Sequence, residues 1–201
     1  PGKRLFDAIA QAIGPIPMVA EDLGIITDDV TELRRSIGVP GMAVLQFGFG
    51  ADAFNPYLPH NIDHDCVVYT GTHDNDPTKS WLETLDYGAR MHLRDYAHRE
   101  VDVREMVRMA FSSVAHTAIV PFQDVLELGA EARMNRPGTA KENWGWRFKS
   151  NYLDLPSAKR AVSPADFNLL ATHFPPSHVA FQRITGGLCF VHSNWPWYSS
   201  E

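Results

Sequence analysis

Apolar positions along the first part of the chain follow two alternating periods. Leu5, Phe6, Ile9, Ala12 and Ile13 recur at helical spacing, and Gly14-Pro15 stops the run, which predicts a helix followed by its breaker. Met18-Val19-Ala20 is then a short apolar run, read as a first strand, that ends abruptly at Glu21-Asp22. Thr27 stands where it can cap a helix whose first turn carries Asp28 and Asp29, the end of a helix dipole that favours acids. Val30, Leu33 and Ile37 give that helix a buried face, and Gly38 with Pro40 ends it. The runs Met42–Phe47, Val67–Thr70 and Thr117–Val120 read as three further strands, with a helix expected from about Val101 to Ser113.

None of these apolar runs alternates strictly with polar residues, as expected of strands covered on both faces in a parallel sheet. Helices between strands make the βα unit the repeat, although the segment after the 42–47 run is long and irregular. Polar and acidic residues gather just past the carboxyl ends of the strands, the edge at which βα architectures carry their sites. A closed barrel of eight βα units takes about 250 residues. The alternation therefore fits a small doubly wound sheet or the second half of something larger. From Ser150 onward charges thin out and prolines at 156, 164, 175, 176 and 196 break any long helix. There a short helix starting at Ser163-Pro164 and one or two short strands within Val179–Phe190 are expected, and no chemistry is assigned.

Composition narrows the function classes. At 201 residues, 44% hydrophobic and 21% charged, the chain has the balance of an ordinary globular domain, which excludes wholesale disorder. With 18 basic against 24 acidic residues and a formal charge of −6, it lacks the basic balance of a nucleic-acid binder and suits a neutral or polar small molecule. No stretch reaches about 18 consecutive apolar residues, so no membrane-spanning segment is expected. Cys66 and Cys189 are too few for a disulfide framework and read as reduced thiols. The chain opens Pro1-Gly2-Lys3 with no signal-like segment, which leads us to expect a processed N-terminus or a piece of a longer chain.

Two segments carry the candidate chemistry. In Ala20-Glu21-Asp22-Leu23-Gly24, a carboxylate directly after a buried run is costly unless it faces a cleft or finds a partner, and a cap or a buried ion pair explains it as well as a reactive role does. Tyr69-Thr70-Gly71-Thr72-His73-Asp74-Asn75-Asp76 is a dense run of hydrogen-bonding side chains, again just past a strand. Adjacent residues rarely converge on one ion, so a metal ranks below a sugar-binding or acid–base role for His73, Asp74 and Asp76. The His60–Cys66 segment lacks the paired spacings of a zinc site and reads as a solvated loop leading into the next strand.

Taken together, the blocks Met18–Thr27, Gly41–Phe47, Asn55–Asn61, Val67–Asp76, Ala132–Thr139 and Asn143–Arg147 resemble, in order, the 4-α-glucanotransferases (amylomaltases or disproportionating enzymes, glycoside hydrolase family 77). The resemblance covers residues 1–148 and implies the C-terminal half of a (β/α)8 TIM barrel, about its strands 5–8; it is not extended to residues 149–201, expected to be a divergent, poorly ordered tail. It implies a retaining transfer of α-1,4-glucan segments between maltooligosaccharides, starch or glycogen, without cofactor and without metal. By the same resemblance Glu21 matches the acid/base, Asp74 the aspartate that stabilises the transition state, and His73 the histidine that holds the sugar. Asn135, Phe47, Asn55, Tyr57, His60 and Trp81 are the further expected substrate contacts, with Phe54, Trp144 and Trp146 as other candidates for stacking on sugar rings. The family's nucleophilic aspartate belongs upstream of Pro1, so the chain is expected to be inactive alone and to need the other half of the barrel as partner. The implied location is the cytoplasm, or a plastid in a photosynthetic eukaryote. Two other readings compete: a non-catalytic α-glucan-binding remnant, and a hydrolase of the α-amylase clan.

Two departures from the family pattern stand out. Pro77-Thr78-Lys79-Ser80-Trp81 follows Asp76 where a glycine and small polar residues are usual, and Pro77 removes a backbone donor there. His116 stands where a small or acidic residue is expected.

Overall fold

The computed structural model describes residues 2–14, 17–156, 179–184 and 187–193. Their architecture is a five-stranded mixed sheet with helices against one face. Helix α1 (Gly2–Ile13) and helix α2 (Asp28–Ser36) precede strand β1 (Gly41–Val44). Strand β2 (Cys66–Tyr69) leads into α3 (Thr78–Thr84), α4 (Tyr87–Ala97) and α5 (Val103–Ser112). Strand β3 (Thr117–Pro121), the short helix α6 (Phe122–Val125) and the strands β4 (Val179–Ile184) and β5 (Gly187–Ser193) complete the order.

The sheet runs β1-β2-β3-β5-β4. Its first three strands are parallel, in the registers Ala43↔Val68 and Val68↔Ala118, whereas β5 lies antiparallel to β3 and to β4. The expected short strands after Val179 are thus present as a hairpin on the parallel sheet. The helix expected from Ser163 lies outside the described residues.

The register explains how the faces divide. Ala43, Val68 and Ala118 share one face and are buried with Leu82 of α3, Leu93 of α4, and Val103, Met106, Met109 and Ala110 of α5. Those α5 positions repeat at helical spacing, and Asp102 caps the helix by accepting from the Glu105 N–H at 2.9 Å. The second face is different: Met42, Tyr69 and Ile119 border an open cavity. Burial on both faces was expected from the unbroken apolar runs; on this second face Val44, Val67 and Thr117 are buried, while Met42, Tyr69 and Ile119 are only partly covered. A second small cluster joins Phe122 and Leu126 to Phe148, Tyr152 and Leu155, so the chain packs back on α6 as far as residue 155.

Two expected strands are corrected. Among the described residues Met18–Ala20 joins no ladder, and its link to the sheet edge is the Ala20 N–H donating to the Pro40 carbonyl at 2.9 Å. The next backbone donor along that edge, Met42 N–H, is taken by the Asp22 carboxylate at 2.7 Å, so a side chain replaces what a strand partner would supply. The 42–47 run leaves strand geometry after Val44 and turns through one 3₁₀ turn, Leu45–Phe47. That turn aims Gln46 inward, where its Nε2 donates to the Asp76 carbonyl at 3.0 Å. At the start of α2, Thr27 makes no side-chain cap and instead donates its hydroxyl to Asp29 at 2.5 Å. The segment after the 42–47 run is irregular as expected, with turns and bends over 48–65. Helices α3 and α4 instead occupy the stretch between the 71–77 loop and α5, for which no element was predicted, Asp86 capping α4 by accepting from the Ala89 N–H at 2.8 Å.

Candidate functional site

The site is built from two segments that leave the sheet at the same edge. The first follows Ala20. Its two adjacent acids divide the work that the sequence left open between them. Asp22 is structural: besides accepting from Met42 N–H, its Oδ2 lies 3.0 Å from Nε of Arg34, a buried guanidinium on α2. Arg34 in turn donates to the carbonyls of Val39 and Asp65 at 3.1 and 3.3 Å. Gly41 makes room for this arrangement, since a Cβ there would lie 2.8 Å from Asp22 Oδ1 and closer still to Oδ2. Asp22 therefore bolts the segment to the start of β1 and turns Glu21 the other way. Glu21 is exposed, lines the cavity, and has no hydrogen bond or ion pair among the described residues.

The second segment is the loop Gly71–Pro77 between β2 and α3. Its tight path is set from inside: Asn75 Oδ1 accepts from the Thr72 N–H at 2.9 Å and from the Thr72 hydroxyl at 2.8 Å. Gly71 passes so close to Gln46 that a Cβ would meet its Nε2 at 2.7 Å. Asp74 is held at three points. Asn135 Nδ2 donates to its Oδ1 at 2.6 Å, His73 Nε2 lies 3.2 Å from the same oxygen, and Arg133 Nη2 donates to its carbonyl at 2.7 Å. The Arg133 guanidinium also pairs with Asp76 at 2.7 Å. Asp76 is thereby neutralised, while the Asp74 side chain stays 37% exposed and open to a ligand.

Glu21, His73, Asp76, Arg133 and Trp144 border one cavity of about 480 Å³, within the range of roughly 300–1,000 Å³ that takes a small molecule. Asp74 reaches this cavity through His73 and Arg133, both of which contact it and line the walls. The Trp144 ring lies 5.1 Å from the His73 ring at 37°, adding an apolar plane beside the carboxylate. Carboxylates, an imidazole, an amide and an aromatic face form a set suited to a polyhydroxylated neutral ligand. Among the described residues no group of three or more His, Cys, Asp or Glu is placed to hold a metal ion.

The other expected contacts separate into two groups. Phe47 and Tyr57 meet edge to face at 5.6 Å, and Asn55 fixes them by donating to the Phe47 carbonyl at 2.8 Å and accepting from the Tyr57 N–H at 2.9 Å. The Tyr57 hydroxyl accepts from the Gly24 N–H at 3.4 Å, so this aromatic ledge touches the Glu21 segment. His60 and Trp81 are placed elsewhere. The His60 ring stacks on Tyr96 at 5.6 Å and bonds to its hydroxyl, and Trp81 packs on the helix-side core near Phe49. Phe54 is 88% exposed, and Trp146 stacks on Tyr152.

Sequence reasoning missed Arg133, Asp124 and Gln46. Arg133 lies inside a quoted block, but nothing local tells that its guanidinium reaches back to Asp74 and Asp76. Asp124 accepts from Thr70 and Thr78 and forms part of the cavity floor. Its signal was a carboxylate just past a strand, the same signal that drew attention to Glu21.

Three parallel strands with helices between them, and carboxylates, an imidazole and an aromatic plane around a cavity beside them, place the chain among α/β proteins with a candidate site at the strand ends. The sequence model of the 4-alpha-glucanotransferases, glycoside hydrolase family 77, matches residues 1–153, and the chain belongs to that family. It is 54% identical over 154 residues to the chloroplastic/amyloplastic 4-alpha-glucanotransferase DPE1 of Arabidopsis thaliana, a match covering 75% of this chain and 27% of the relative. With the 4-alpha-glucanotransferase of Clostridium butyricum it shares 44% over 158 residues, covering 75% of this chain and 32% of that one. Among solved structures it is similar to the amylomaltase of Streptococcus agalactiae in complex with acarbose, at a TM-score of 0.75 and 32% identity, covering 86% of this chain and 34% of that one. The chain thus spans about a quarter to a third of the length of the relatives it matches. Among the described residues no helix is long and apolar enough to cross a membrane.

Proposed function

We propose that this chain carries the acid/base and stabilising side of a retaining α-1,4-glucan transfer site, on strands corresponding to the second half of a (β/α)8 barrel. The supporting observation is that Glu21, which has no partner among the described residues, and His73, which contacts the Asn135-tethered carboxylate of Asp74, line one cavity beside the parallel strands of the sheet. Within this reading residues 1–148 are the catalytic part and 149–201 a divergent appendage. The partners are α-1,4-glucans and the remaining barrel strands, and the place of action is the cytoplasm or a plastid.

The chemistry assigns each group a step. Glu21, as general acid, gives a proton to the glycosidic oxygen as the bond to the anomeric carbon breaks. A second carboxylate about 5–5.5 Å away takes the sugar as a covalent ester in such reactions. None of the described residues is assigned that role, and we place it on a strand outside this sequence. Glu21, now ionised, removes the proton from the incoming 4-hydroxyl, whose oxygen displaces the ester. Asp74 accepts hydrogen bonds from ring hydroxyls that tighten as positive charge develops at the anomeric centre, which is how binding lowers the barrier. Asn135 and His73 hold that carboxylate in one orientation, and Trp144 offers a plane for the pyranose ring.

Maltotriose and acarbose test this. The purified chain binds acarbose in calorimetry with a micromolar Kd, and chromatography of its maltotriose incubation shows no glucose and no longer oligomers. Absence of binding to the folded chain overturns the glucan-site reading. Enzyme-like formation of longer oligomers overturns the placement of the nucleophile, and glucose and maltose without longer products would favour a hydrolase.

A further inference from the structure

The loop that presents His73 and Asp74 is closed at its base by a group with no part in the chemistry above. Asp124, the third residue of α6, is 2% exposed. Its Oδ2 accepts from the Thr70 hydroxyl at 2.5 Å and from the Thr78 hydroxyl at 2.7 Å, and its Oδ1 accepts from the Thr78 N–H at 2.7 Å. Thr70 is the residue immediately before the loop and Thr78 the residue immediately after it, and both are themselves fully buried. One carboxylate thus joins the two ends of the Gly71–Pro77 segment to the strand-to-helix corner after β3. Gln46 reinforces the same point from the 3₁₀ turn after β1, its Nε2 lying 3.0 Å from the Asp76 carbonyl and 3.4 Å from the Thr78 hydroxyl.

This arrangement is costly for the core. Burial pushes the Asp124 carboxyl above the ordinary carboxylate range, against the three donors that hold it down, and among the described residues no cation lies within ion-pair distance. A buried carboxylate without a counter-charge contributes less to stability than an apolar residue of the same volume. What it supplies is a fixed spacing between Thr70 and Thr78, which a leucine would not.

We propose that Asp124 is a positioning residue, a buried clasp that sets the width of the Gly71–Pro77 loop and through it the place of His73 and Asp74 in the cleft. Its effect on sugar binding rests on the glucan-site reading above, whereas its effect on the loop does not.

The experiment compares the wild-type chain with Asp124→Asn, Thr78→Val and Thr78→Ser by hydrogen exchange at single amides, thermal midpoint and acarbose calorimetry. Asp124→Asn keeps the shape and the acceptor for the Thr78 N–H but replaces the oxygen that accepts from both threonine hydroxyls by an N–H₂, from which they can only accept, and Thr78→Val removes one donor without adding a charge. In both, the protected amides of Thr72, Asp74 and Asn75 exchange at least about tenfold faster while those of β1, β2 and α5 keep their rates. Acarbose affinity falls by about tenfold, and Thr78→Ser restores both properties. Uniform acceleration across the sheet with a matching fall in Tm makes Asp124 an ordinary core residue and overturns the proposal, as do unchanged loop rates. Should Asp124→Asn not fold, Thr78→Val decides by the same rates. A loosened loop with unchanged acarbose affinity overturns the link to the ligand. If the wild-type chain binds no acarbose, the glucan reading fails by itself and the loop rates still judge the clasp.

Discussion

Replacing Asp22 by alanine is expected to destabilise the chain by about 3 kcal/mol. Arg34 is buried and Asp22 nearly so, with side chains 8% and 17% exposed, and removal of one member of a buried pair costs about 3–5 kcal/mol because a charge is left behind. Two features reduce that figure here. The Arg34 Nε–H is poorly aligned for a hydrogen bond to Asp22, and the guanidinium keeps two carbonyls and the Asp65 carboxylate at 3.8 Å. About 2 kcal/mol remains for the pair. The Met42 N–H, stripped of its acceptor at 2.7 Å, adds about 1 kcal/mol. For a chain of this size the total corresponds to a fall in Tm of about 6–12 °C. Urea titrations of Asp22→Ala, Arg34→Met and the double variant form the appropriate cycle, and the double variant is expected to be more stable than the sum of the single losses by about 1–2 kcal/mol. A loss below about 1 kcal/mol for Asp22→Ala, or strict additivity, means that Asp22 does not anchor the Glu21 segment in the way described.

Glu21→Gln should leave the urea midpoint within about 0.5 kcal/mol of wild type, because that side chain is exposed and holds no partner among the described residues; a larger loss makes Glu21 a structural residue. Glu105 responds to acid. Its hydrogen bonds from Arg108, opposed by burial, hold its carboxyl below the ordinary 4.5, so the stability it adds is present above that pH and is lost as pH falls through the depressed folded value. Glu105→Gln should therefore close the gap to wild type as pH is lowered from 7 to 3, by at most about 1 kcal/mol since Arg108 is half exposed; a gap that does not narrow contradicts the assignment. Asp124 shifts the other way but is common to both proteins and cancels in the comparison. The Cys66 thiol is pushed up to about 12, by burial first and then by the Asp22 charge, so in a Cys189→Ser background it should react with a disulfide reagent at pH 8 only as fast as the chain unfolds. Rapid labelling of the folded protein contradicts its burial.

The strands that could be read in advance are those whose partners are also apolar runs. Val67–Tyr69 and Thr117–Val120 pair with each other in parallel register, and each contains enough β-branched residues to announce itself. Met18–Ala20 has the same composition, but its neighbour along the edge is a carboxylate, and no local pattern distinguishes the two cases. Helices α3 and α4 escaped because one opens behind Pro77 without a side-chain cap and the other carries Gly88 and few buried positions. At the site, residue types past strand ends located Glu21 and the 71–77 loop, and the resemblance located Asn135. The division of labour between Glu21 and Asp22 depends on Arg34, which belongs to another element and carries no mark of its destination. The resemblance implied sugar contacts at His60 and Trp81; in the structure His60 stacks on Tyr96 of α4 and Trp81 packs against the core.

The close approach between Gly41 and Asp22 also constrains how the sequence can drift. A methyl group at 41 and a carboxylate at 22 compete for one space, so neither position can change on its own without forfeiting the anchor behind Glu21. Directed evolution of this edge should start from paired libraries at 22 and 41, because single-site scans will register both as immutable.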